Sequence, residues 1–320
     1  MPGAGEAKGE IMTETSVPSW PKRPRGISAL RGLFAERHAR YLMPAPAVVT
    51  IAAMMVFPVL YTLWLSFHAW FASSPKGPTF VGLENYVTLI FTDSRFQGAL
   101  LRTVLFTVLA VGVQTVLGIA MALVFNEEFS GRGLFRTLFL LPMMATPVAV
   151  SLVWLMMFDP TSGLLNYLFD LVGVGPSLWV ADPNLALLCL VVVDSWKFTP
   201  LIMLIVLAGL SALPPEPYES AVIDGASAPQ LFWHITLPLL RPTIMVAALF
   251  RAIDALKTFD SIFVITRGGP LYASETLNIY SFVTAFQYFN MGYSSALLVI
   301  FFGIIMGVSV LFMWLRRVSW

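Results

Sequence analysis

The chain has 320 residues, of which 58% are hydrophobic and 12% are charged, and its mean hydropathy is +0.79. An average soluble domain is about 45–50% apolar and about 25% charged, so this chain has too few polar side chains to cover a surface that faces water. Its 19 Lys and Arg residues against 18 Asp and Glu residues exclude a basic field for nucleic acid, and its single cysteine excludes an intrachain disulfide framework. The composition therefore predicts an integral membrane protein in a lipid bilayer.

Six apolar segments are long enough to cross a bilayer as helices, which takes about 20 residues each. They lie at 43–67, 99–125, 134–158, 185–210, 243–266 and 295–315. The segments are continuous and lack the strict alternation of barrel strands, so we expect an all-α fold, a bundle of six transmembrane helices in residues 43–320. The polar residues 1–42 form a separate tail. The apolar stretch 161–180 is interrupted by Asp, Gly and Pro, which favours a short interfacial helix and a loop.

Positive charge is distributed unequally between the two sides of the predicted bundle. The tail of residues 1–42 is rich in Lys and Arg, and it is too long for the charged region of a cleaved signal peptide. With the tail in the cytoplasm, the same side receives further cations at Arg132, Arg136, Arg241, Arg316 and Arg317. Because cytoplasmic loops carry an excess of Lys and Arg, both termini are predicted to be cytoplasmic.

The cytoplasmic loop 211–241 contains signals for ordered structure. Two prolines suit the first turn of a helix, Gly225 ends that helix, and Ser227 caps a second one. Pro238 and Pro242 are then expected to break the chain before the fifth span. The loop is therefore predicted to form two short helices joined by a glycine elbow.

The same loop carries a sequence motif, formed by Glu219-Ser220-Ala221, Asp224-Gly225-Ala226, Phe232, Ile235, Leu237-Pro238 and Pro242. The motif resembles the EAA loop of ABC-importer permeases, E-A-A-x-x-D-G-A followed by F-x-x-I-x-L-P, with Ser220 in place of the usual Ala. Further along, Phe259-Asp260 and Thr266-Arg267-Gly268-Gly269-Pro270 resemble the F-D…T-x-G-G-P segment of the carbohydrate (maltose-type) branch. The resemblance covers roughly residues 40–320, and the nearest likeness is an actinobacterial disaccharide permease of the trehalose-importer kind.

The resemblance implies a type I importer permease subunit in the bacterial cell (inner) membrane, whose coupling helix around residues 217–224 docks into a groove of an ATPase. The residues implied to contact the ATPase are Glu219, Ser220, Ala221, Asp224, Gly225 and Ala226. The implied partners are a homologous second permease, two cytoplasmic ABC ATPase subunits, an extracytoplasmic substrate-binding (lipo)protein and a carbohydrate such as a disaccharide. ATP and Mg would be bound by the ATPase subunits, so no cofactor is expected in this chain.

Six charged residues fall more than one turn inside the ends of the predicted spans: Asp194, Lys197, Arg251, Asp254, Lys257 and Asp260. Each costs about 2.5–3.5 kcal/mol at the centre of a membrane helix, so each should find a partner or face water. Neighbours three residues apart lie near one helix face, which predicts the pairs Asp194 with Lys197, Arg251 with Asp254, and Lys257 with Asp260.

Three interpretations of these charges stay open. The first is a substrate pathway formed by Asp194, Trp196, Lys197, Asp254 and Lys257, in which charged groups bind sugar hydroxyls and the indole stacks on a sugar face. The second is the proton or ion relay of an ion-coupled secondary transporter, a class that is built from inverted repeats not visible in this sequence. The third is a structural network of salt bridges between spans.

No motif indicates catalysis by this chain. Gly268-Gly269-Pro270 lacks the spacing and the following Lys of a phosphate-binding loop, and no other nucleotide-binding motif occurs, so the chain is not expected to be an enzyme or to hydrolyse ATP itself. His38, His68 and His234 are scattered without the spacing of metal ligands, and no metal site is expected.

Overall fold

The computed structural model describes residue 41 and residues 43–318, with side chains as far as residue 314. The predicted tail of residues 1–42 thus lies outside the described residues except for Tyr41, as do the side chains of Arg316 and Arg317. The chain divides after Pro58 into two units. Of the first unit the structure describes Tyr41 and residues 43–58, and every element after the first helix belongs to the second unit.

Helices account for most of the described chain, and two short strands pair near its start. The helices are α1 (Ala45–Leu65), α2 (Glu84–Val87), α3 (Ser94–Asn126), α4 (Arg132–Met144), α5 (Pro147–Met157), α6 (Leu164–Leu171), α7 (Ala186–Leu210), α8 (Glu216–Ile223), α9 (Ala228–Leu231), α10 (Leu237–Leu256), α11 (Asp260–Ile265), α12 (Leu277–Phe282) and α13 (Met291–Val318). The strands β1 (His68–Ala69) and β2 (Thr79–Phe80) are antiparallel, with His68 opposite Phe80. Helix α6 lies within the stretch 161–180.

Four helices in the described part of the chain are long and apolar enough to cross a membrane, namely α1, α3, α7 and α13 as far as Trp314. Helices α4 and α5 would together make a fifth, but they are bent by 96° at the break between them, so the predicted span 134–158 is two helices. The residue before a proline avoids the helical conformation, and Thr146, which precedes Pro147, is extended with ψ 142°.

The predicted fifth span, 243–266, differs from the structure in two ways. Pro238 and Pro242 do not break the chain, because both lie within α10. A π-helical turn joins α9 to α10 just before Pro238, and this departure from the regular α-helical bonding occurs where the proline has no N–H to donate. The break comes later, at 257–259, between the end of α10 and the start of α11.

Helices α3 and α7 pack along each other at the centre of residues 59–320, and α7 is the most buried of the four long apolar helices. Their crossing is close at Gly118, where an added Cβ would lie 2.7 Å from Cγ2 and 2.9 Å from Cβ of Ile202. Only a residue without a side chain permits this approach. The close contact brings polar groups on α3 and α7 within reach of α10.

Candidate functional site

The loop between α7 and α10 holds all six residues implied to contact an ATPase. The exposed ones are Glu219, Ser220, Asp224 and Gly225, and the half-buried ones are Ala221 and Ala226. Glu216 and Glu219 stand in the first turn of α8, where carboxylates favour the positive end of the helix dipole. At the other end of α8, Val222 is exposed and Ile223 is 85% exposed. This eight-residue helix therefore presents an acidic and an apolar surface together.

Gly225 forms the elbow after α8. Its φ is +79°, and an added Cβ would meet nothing within 4 Å, so the backbone alone requires glycine here. The Gly225 N–H donates to the Val222 carbonyl oxygen at 3.1 Å, and the Ala226 N–H donates to the Ala221 carbonyl oxygen at 2.9 Å. These two bonds are the Schellman pattern of a helix that ends sharply. The structure has the predicted first short helix and the glycine elbow. The second helix is not a separate short one, because α9 continues through the π-helical turn into α10.

Two side-chain bonds hold the elbow against the next helix. The Tyr218 hydroxyl on α8 donates to Oγ1 of Thr236 at 3.0 Å, just before α10 begins. The Ser227 N–H donates to Oε1 of Gln230 at 2.8 Å, as in a capping box. Between the two short helices lies an open cavity of about 380 Å³, lined partly by Asp224 and His234. The Tyr218 hydroxyl thus links α8 to the residue that precedes α10.

A second site lies where α3, α7 and α10 meet, around the guanidinium of Arg251. This side chain is fully buried, and it donates from Nε to Oε1 of Gln114 at 2.7 Å and from Nη2 to Oδ2 of Asp194 at 2.6 Å. Its Nη1 donates to Oδ2 of Asp254. Gln114 also donates from Nε2 to Asp194 Oδ2 at 2.7 Å. The ring of Phe198 covers the guanidinium, 4.2 Å from Cζ to the ring centroid. We call Gln114, Asp194, Arg251 and Asp254 the arginine network.

The three predicted pathway residues on α7 have side chains in different environments. Asp194 is buried within the arginine network, and its Oδ1 accepts no hydrogen bond from the described part of the chain. Lys197 is only 3% exposed, and its Nζ lies 5.1 Å from the Phe198 ring centroid. Trp196 is half-exposed and meets Trp154 of α5 edge to face, with ring centroids 5.8 Å apart. The structure therefore separates the indole of Trp196 from the two charged groups next to it in sequence.

The other two predicted pathway residues, Asp254 and Lys257, lie around the C-terminal end of α10. The side chain of Asp254 is 54% exposed, although one of its oxygens is held by Arg251. Lys257 is exposed and directly follows α10, and its carbonyl oxygen accepts a hydrogen bond from Nδ2 of Asn278 at 2.8 Å. Beside this break is an open cavity of about 290 Å³, lined by Phe259, Asn278, Ser281, Phe282, Ala285, Phe286, Ser294 and Leu298.

Of the three charge pairs predicted from spacing, the structure contains the one between Arg251 and Asp254. Asp194 makes its ion pair with Arg251 of another helix rather than with its neighbour Lys197. The partner that the sequence analysis missed is Gln114. A lone amide in the middle of an apolar span was the available signal, since such a group needs a polar partner inside a membrane.

A third polar cluster, also missed from the sequence, lies at the start of α3. Arg95 makes a two-pronged ion pair with Glu275, from Nη2 to Oε1 at 2.6 Å and from Nε to Oε2 at 2.8 Å. Three tyrosine rings surround its guanidinium, with centroids 4.3, 4.7 and 5.6 Å from Cζ: Tyr272, Tyr280 and Tyr288. Arg102 donates from Nε to the carbonyl oxygen of Glu275 at 3.1 Å. Helix α3 is thereby fixed to the chain just before α12.

Asp93 caps the N-terminus of α3 and binds two more helices to it. Its Oδ1 accepts from the Phe96 N–H at 3.0 Å, and its Oδ2 accepts from the hydroxyls of Tyr280 and Tyr293 at 2.6 and 2.7 Å. Burial raises the pKa of Asp93, but the hydrogen bonds from Tyr280, Tyr293 and the backbone outweigh it, and the pKa lies below its ordinary value. Burial, together with the bond to Asp93, raises the pKa of Tyr280.

The segment that resembles T-x-G-G-P forms a tight turn between α11 and α12. Arg267, Gly268, Leu271 and Tyr272 all have positive φ, and the Gly269–Pro270 bond is cis. The Ser274 hydroxyl donates within the turn, to the Gly269 carbonyl oxygen at 2.6 Å and Thr266 Oγ1 at 2.7 Å. The motif thus encodes a tightly folded loop that is held by its own hydrogen bonds. Within residues 41 and 43–314, no group of three or more His, Cys, Asp or Glu side chains is placed to hold a metal ion.

The chain is similar to membrane components of transport systems. The family model of the binding-protein-dependent transport system inner membrane component matches residues 114–319. The trehalose/maltose transport system permease protein MalF of Thermococcus litoralis is 36% identical over 287 residues, which cover 89% of this chain and 95% of that protein. The trehalose transport system permease protein SugA of Mycobacterium tuberculosis is 35% identical over 279 residues, covering 87% of this chain and 88% of SugA.

Two further similarities extend the comparison. The sulfoquinovosyl glycerol transport system permease protein SmoG of Agrobacterium fabrum is 34% identical over 282 residues, covering 88% of this chain and 91% of SmoG. Among solved structures, a chain of a bacterial alginate ABC transporter in complex with an alginate pentasaccharide-bound periplasmic protein superposes with a TM-score of 0.77. It is 21% identical and covers 89% of this chain and 96% of its own length, a likeness that concerns the fold.

Proposed function

Because the chain belongs to the family of binding-protein-dependent transport system inner membrane components, we propose that it is the permease subunit of an ATP-driven ABC importer of carbohydrates. Its fold is the all-α fold of these importer permeases. Relatives that match nearly their whole length carry names that refer to trehalose, maltose and sulfoquinovosyl glycerol. These names support a glycoside substrate, and an oligosaccharide such as a disaccharide is the substrate that we propose.

One observation carries the mechanism: helix α8, with its exposed acidic and apolar surface, is joined to both α7 and α10 by short connections. We propose that this coupling helix docks on a cytoplasmic ATPase subunit, with Glu219 and Asp224 contacting it. The elbow at Gly225 and the Tyr218–Thr236 bond make α8 and the start of α10 move together. Movement of the ATPase would then alter the arrangement of α7 and α10, on which four of the proposed pathway residues lie.

The transport pathway that we propose runs past the break between α10 and α11. Non-helical backbone at membrane depth is tolerated where it lines a water-filled cavity or is buried in protein. Here the break at 257–259 lies beside an open cavity that is lined by aromatic rings and polar groups. The side chains of Asp254 and Lys257 are exposed close to this break in the chain. Rings that stack on a sugar face and charged groups that bind its hydroxyls are the chemistry that an oligosaccharide needs. Trp196 and Lys197 remain proposed pathway residues on α7. Asp194 remains one as well, through its ion pair with Arg251 in the arginine network.

The proposed complex contains a homologous second permease, two ABC ATPase subunits that bind ATP and Mg, and an extracytoplasmic binding protein. This chain would lie in the bacterial inner membrane with both termini in the cytoplasm, and it would not be an enzyme itself. The predicted tail, rich in Lys and Arg, supports that orientation through the positive-inside rule.

Reconstitution tests the proposal. The tagged chain is purified in mild detergent with its co-purifying subunits, placed in liposomes, and supplied with ATP inside and sugar-loaded binding protein outside. Uptake of labelled trehalose or maltose is expected to require both ATP and the binding protein, and Glu219→Lys is expected to abolish it. Uptake by this chain alone under a proton or sodium gradient would instead make it a secondary transporter. Purification without any ATPase or second permease would equally contradict the proposal.

A further inference from the structure

We infer that Arg251 is a positioning residue for transport: it holds the carboxylate of Asp254 in a fixed place on the pathway wall, where Asp254 accepts hydrogen bonds from sugar hydroxyls. This inference rests on the proposed function. The inference assigns a role to a buried side chain that would not itself touch the substrate. It also explains why three helices each contribute a polar side chain to a single guanidinium.

The geometry distinguishes two ends of the arginine network. At the inner end, Gln114 and Asp194 are both buried, and they occupy Nε and Nη2 of Arg251 at 2.7 and 2.6 Å. At the outer end, Nη1 holds Oδ2 of Asp254, whose side chain is half-exposed. The guanidinium is planar and rigid, so fixing two of its nitrogens fixes the direction of the third. Asp194 and Gln114 therefore determine where Asp254 is held.

Charge makes the outer carboxylate available. Two carboxylates, Asp194 and Asp254, share one guanidinium. The ion pair of Asp194 with Arg251 is completely buried, whereas the side chain of Asp254 is half-exposed. Within the described residues, Oδ1 of Asp254 accepts no hydrogen bond, and its Oδ2 uses only Arg251. One carboxylate oxygen is thus left to accept from a ligand. An ionised acceptor makes hydrogen bonds about twice as strong as a neutral one, and vicinal hydroxyls of a sugar are suitable donors.

The position of Asp254 agrees with this role. It lies in the last turn of α10, just before the broken backbone begins, and its own carbonyl oxygen accepts from the Lys257 N–H at 3.1 Å. A carboxylate that swung freely at this point would lose the orientation that makes binding specific. The i, i+3 contact to Arg251 prevents that motion from inside the same helix.

The test compares four variants of the complete transporter in liposomes, with sugar transported per ATP hydrolysed as the readout. Asp254→Ala removes the acceptor from an exposed position. The triple variant Gln114→Leu/Asp194→Leu/Arg251→Met replaces the buried groups by apolar side chains of similar size, an exchange that stable folds often accept. The third variant combines these changes, and the fourth is Asp254→Glu, which keeps the charge but displaces it by one methylene.

We expect Asp254→Ala, the triple variant and their combination each to transport about tenfold less trehalose or maltose per ATP, which corresponds to the loss of one charge-assisted hydrogen bond. A purely structural network would instead lower ATPase activity and transport together, or restore both in the apolar triple variant. Wild-type coupling in the triple variant, or in Asp254→Ala, overturns the inference. If the triple variant does not assemble, Asp254→Glu decides: a loss near that of Asp254→Ala supports a fixed placement, and wild-type coupling refutes it. A wild-type complex that imports neither sugar refutes the proposed function instead.

Discussion

Arg95 and Glu275, which are 180 residues apart in the chain, face each other with two parallel hydrogen bonds of 2.6 and 2.8 Å. The Glu275 side chain is almost completely buried, whereas that of Arg95 is partly exposed. The pair joins the beginning of α3 to the turn that precedes α12. Because this turn contains four residues with positive φ in a row of six, it depends on contacts from outside itself.

Breaking this pair from one side should be costly. Arg95→Gln leaves the Glu275 carboxylate buried without its cation, and we expect a loss of about 3 kcal/mol in the free energy of unfolding. Thermal melting of the detergent-solubilised chain measures this loss. Lys76→Gln is the matched control, since it also removes one cation but from an exposed position, and its melting temperature should remain within a degree or two of the wild type. Equal melting of both variants would contradict the structural importance of the pair.

A β-branched residue at Gly225 should disconnect the ATPase from transport. The left-handed conformation costs an L-residue about 1–2 kcal/mol, and Val at φ +79° would pull the elbow out of its Schellman geometry. We expect Gly225→Val to reduce ATP-dependent sugar uptake at least tenfold, measured in liposomes. Gly173 offers a matched control, because it has φ +76° and equally open space around its Cα. Gly173→Val bears the same local strain outside the coupling loop, and loss of uptake in that variant as well would remove the special role of Gly225.

Packing between α3 and α7 can be tested with two glycines of the same helix. Alanine at Gly118 would place its Cβ 2.7 Å from Cγ2 of Ile202, so we expect destabilisation of about 1–3 kcal/mol. Alanine at Gly112 meets nothing within 4 Å and should leave stability unchanged or raise it by up to about 1 kcal/mol, because Ala favours the helix. Thermal melting should therefore show a lower melting temperature than the wild type for Gly118→Ala, and an equal or higher one for Gly112→Ala. A stable Gly118→Ala protein would show that the two helices have room to separate.

Acid should weaken the junction held by Asp93. A carboxyl whose pKa is lowered on folding stabilises the fold fully above its unfolded pKa of 3.8 and loses that contribution as the pH falls through the lower folded value. Asp93→Asn should therefore melt below the wild type at pH 7, and the gap should narrow at a pH under 3.8. Melting scans of both proteins at the two pH values check this. A gap of constant size would mean that the charge of Asp93 is irrelevant to the bonds from Tyr280 and Tyr293.

The coupling loop was predictable because its signals are local. Gly225 marks the end of one helix and Ser227 the start of the next, and each acts within a few residues of itself. The bend at Thr146–Pro147 follows from a local rule too, since a residue before proline avoids the helical conformation. It was not predicted, because the segment around it is apolar enough to be taken for a single span. The hydropathy of a segment indicates whether its side chains favour lipid or water. It contains no information on where the backbone turns.

The polar clusters were not predictable, because their partners come from distant parts of the chain. The spacing rule found Arg251 with Asp254, which share a helix, yet it assigned Lys197 to Asp194. The actual partner is decided by how α3, α7 and α10 cross, and that crossing depends on close contacts such as the one at Gly118. Sequence spacing describes one helix at a time, so it cannot choose between two partners on different helices.

The hydrogen bond from Asn278 to the carbonyl oxygen of Lys257 fixes the backbone at the break after α10. An amide side chain from α12 here replaces a backbone N–H that the next helical turn would have supplied. The gap between α10 and α11 is thus a built part of the architecture, with the same outline in every state that keeps this bond. The shape of this break would then depend on Asn278, whereas motion of the coupling loop would depend on α8, so a mutation could alter one of them without disturbing the other.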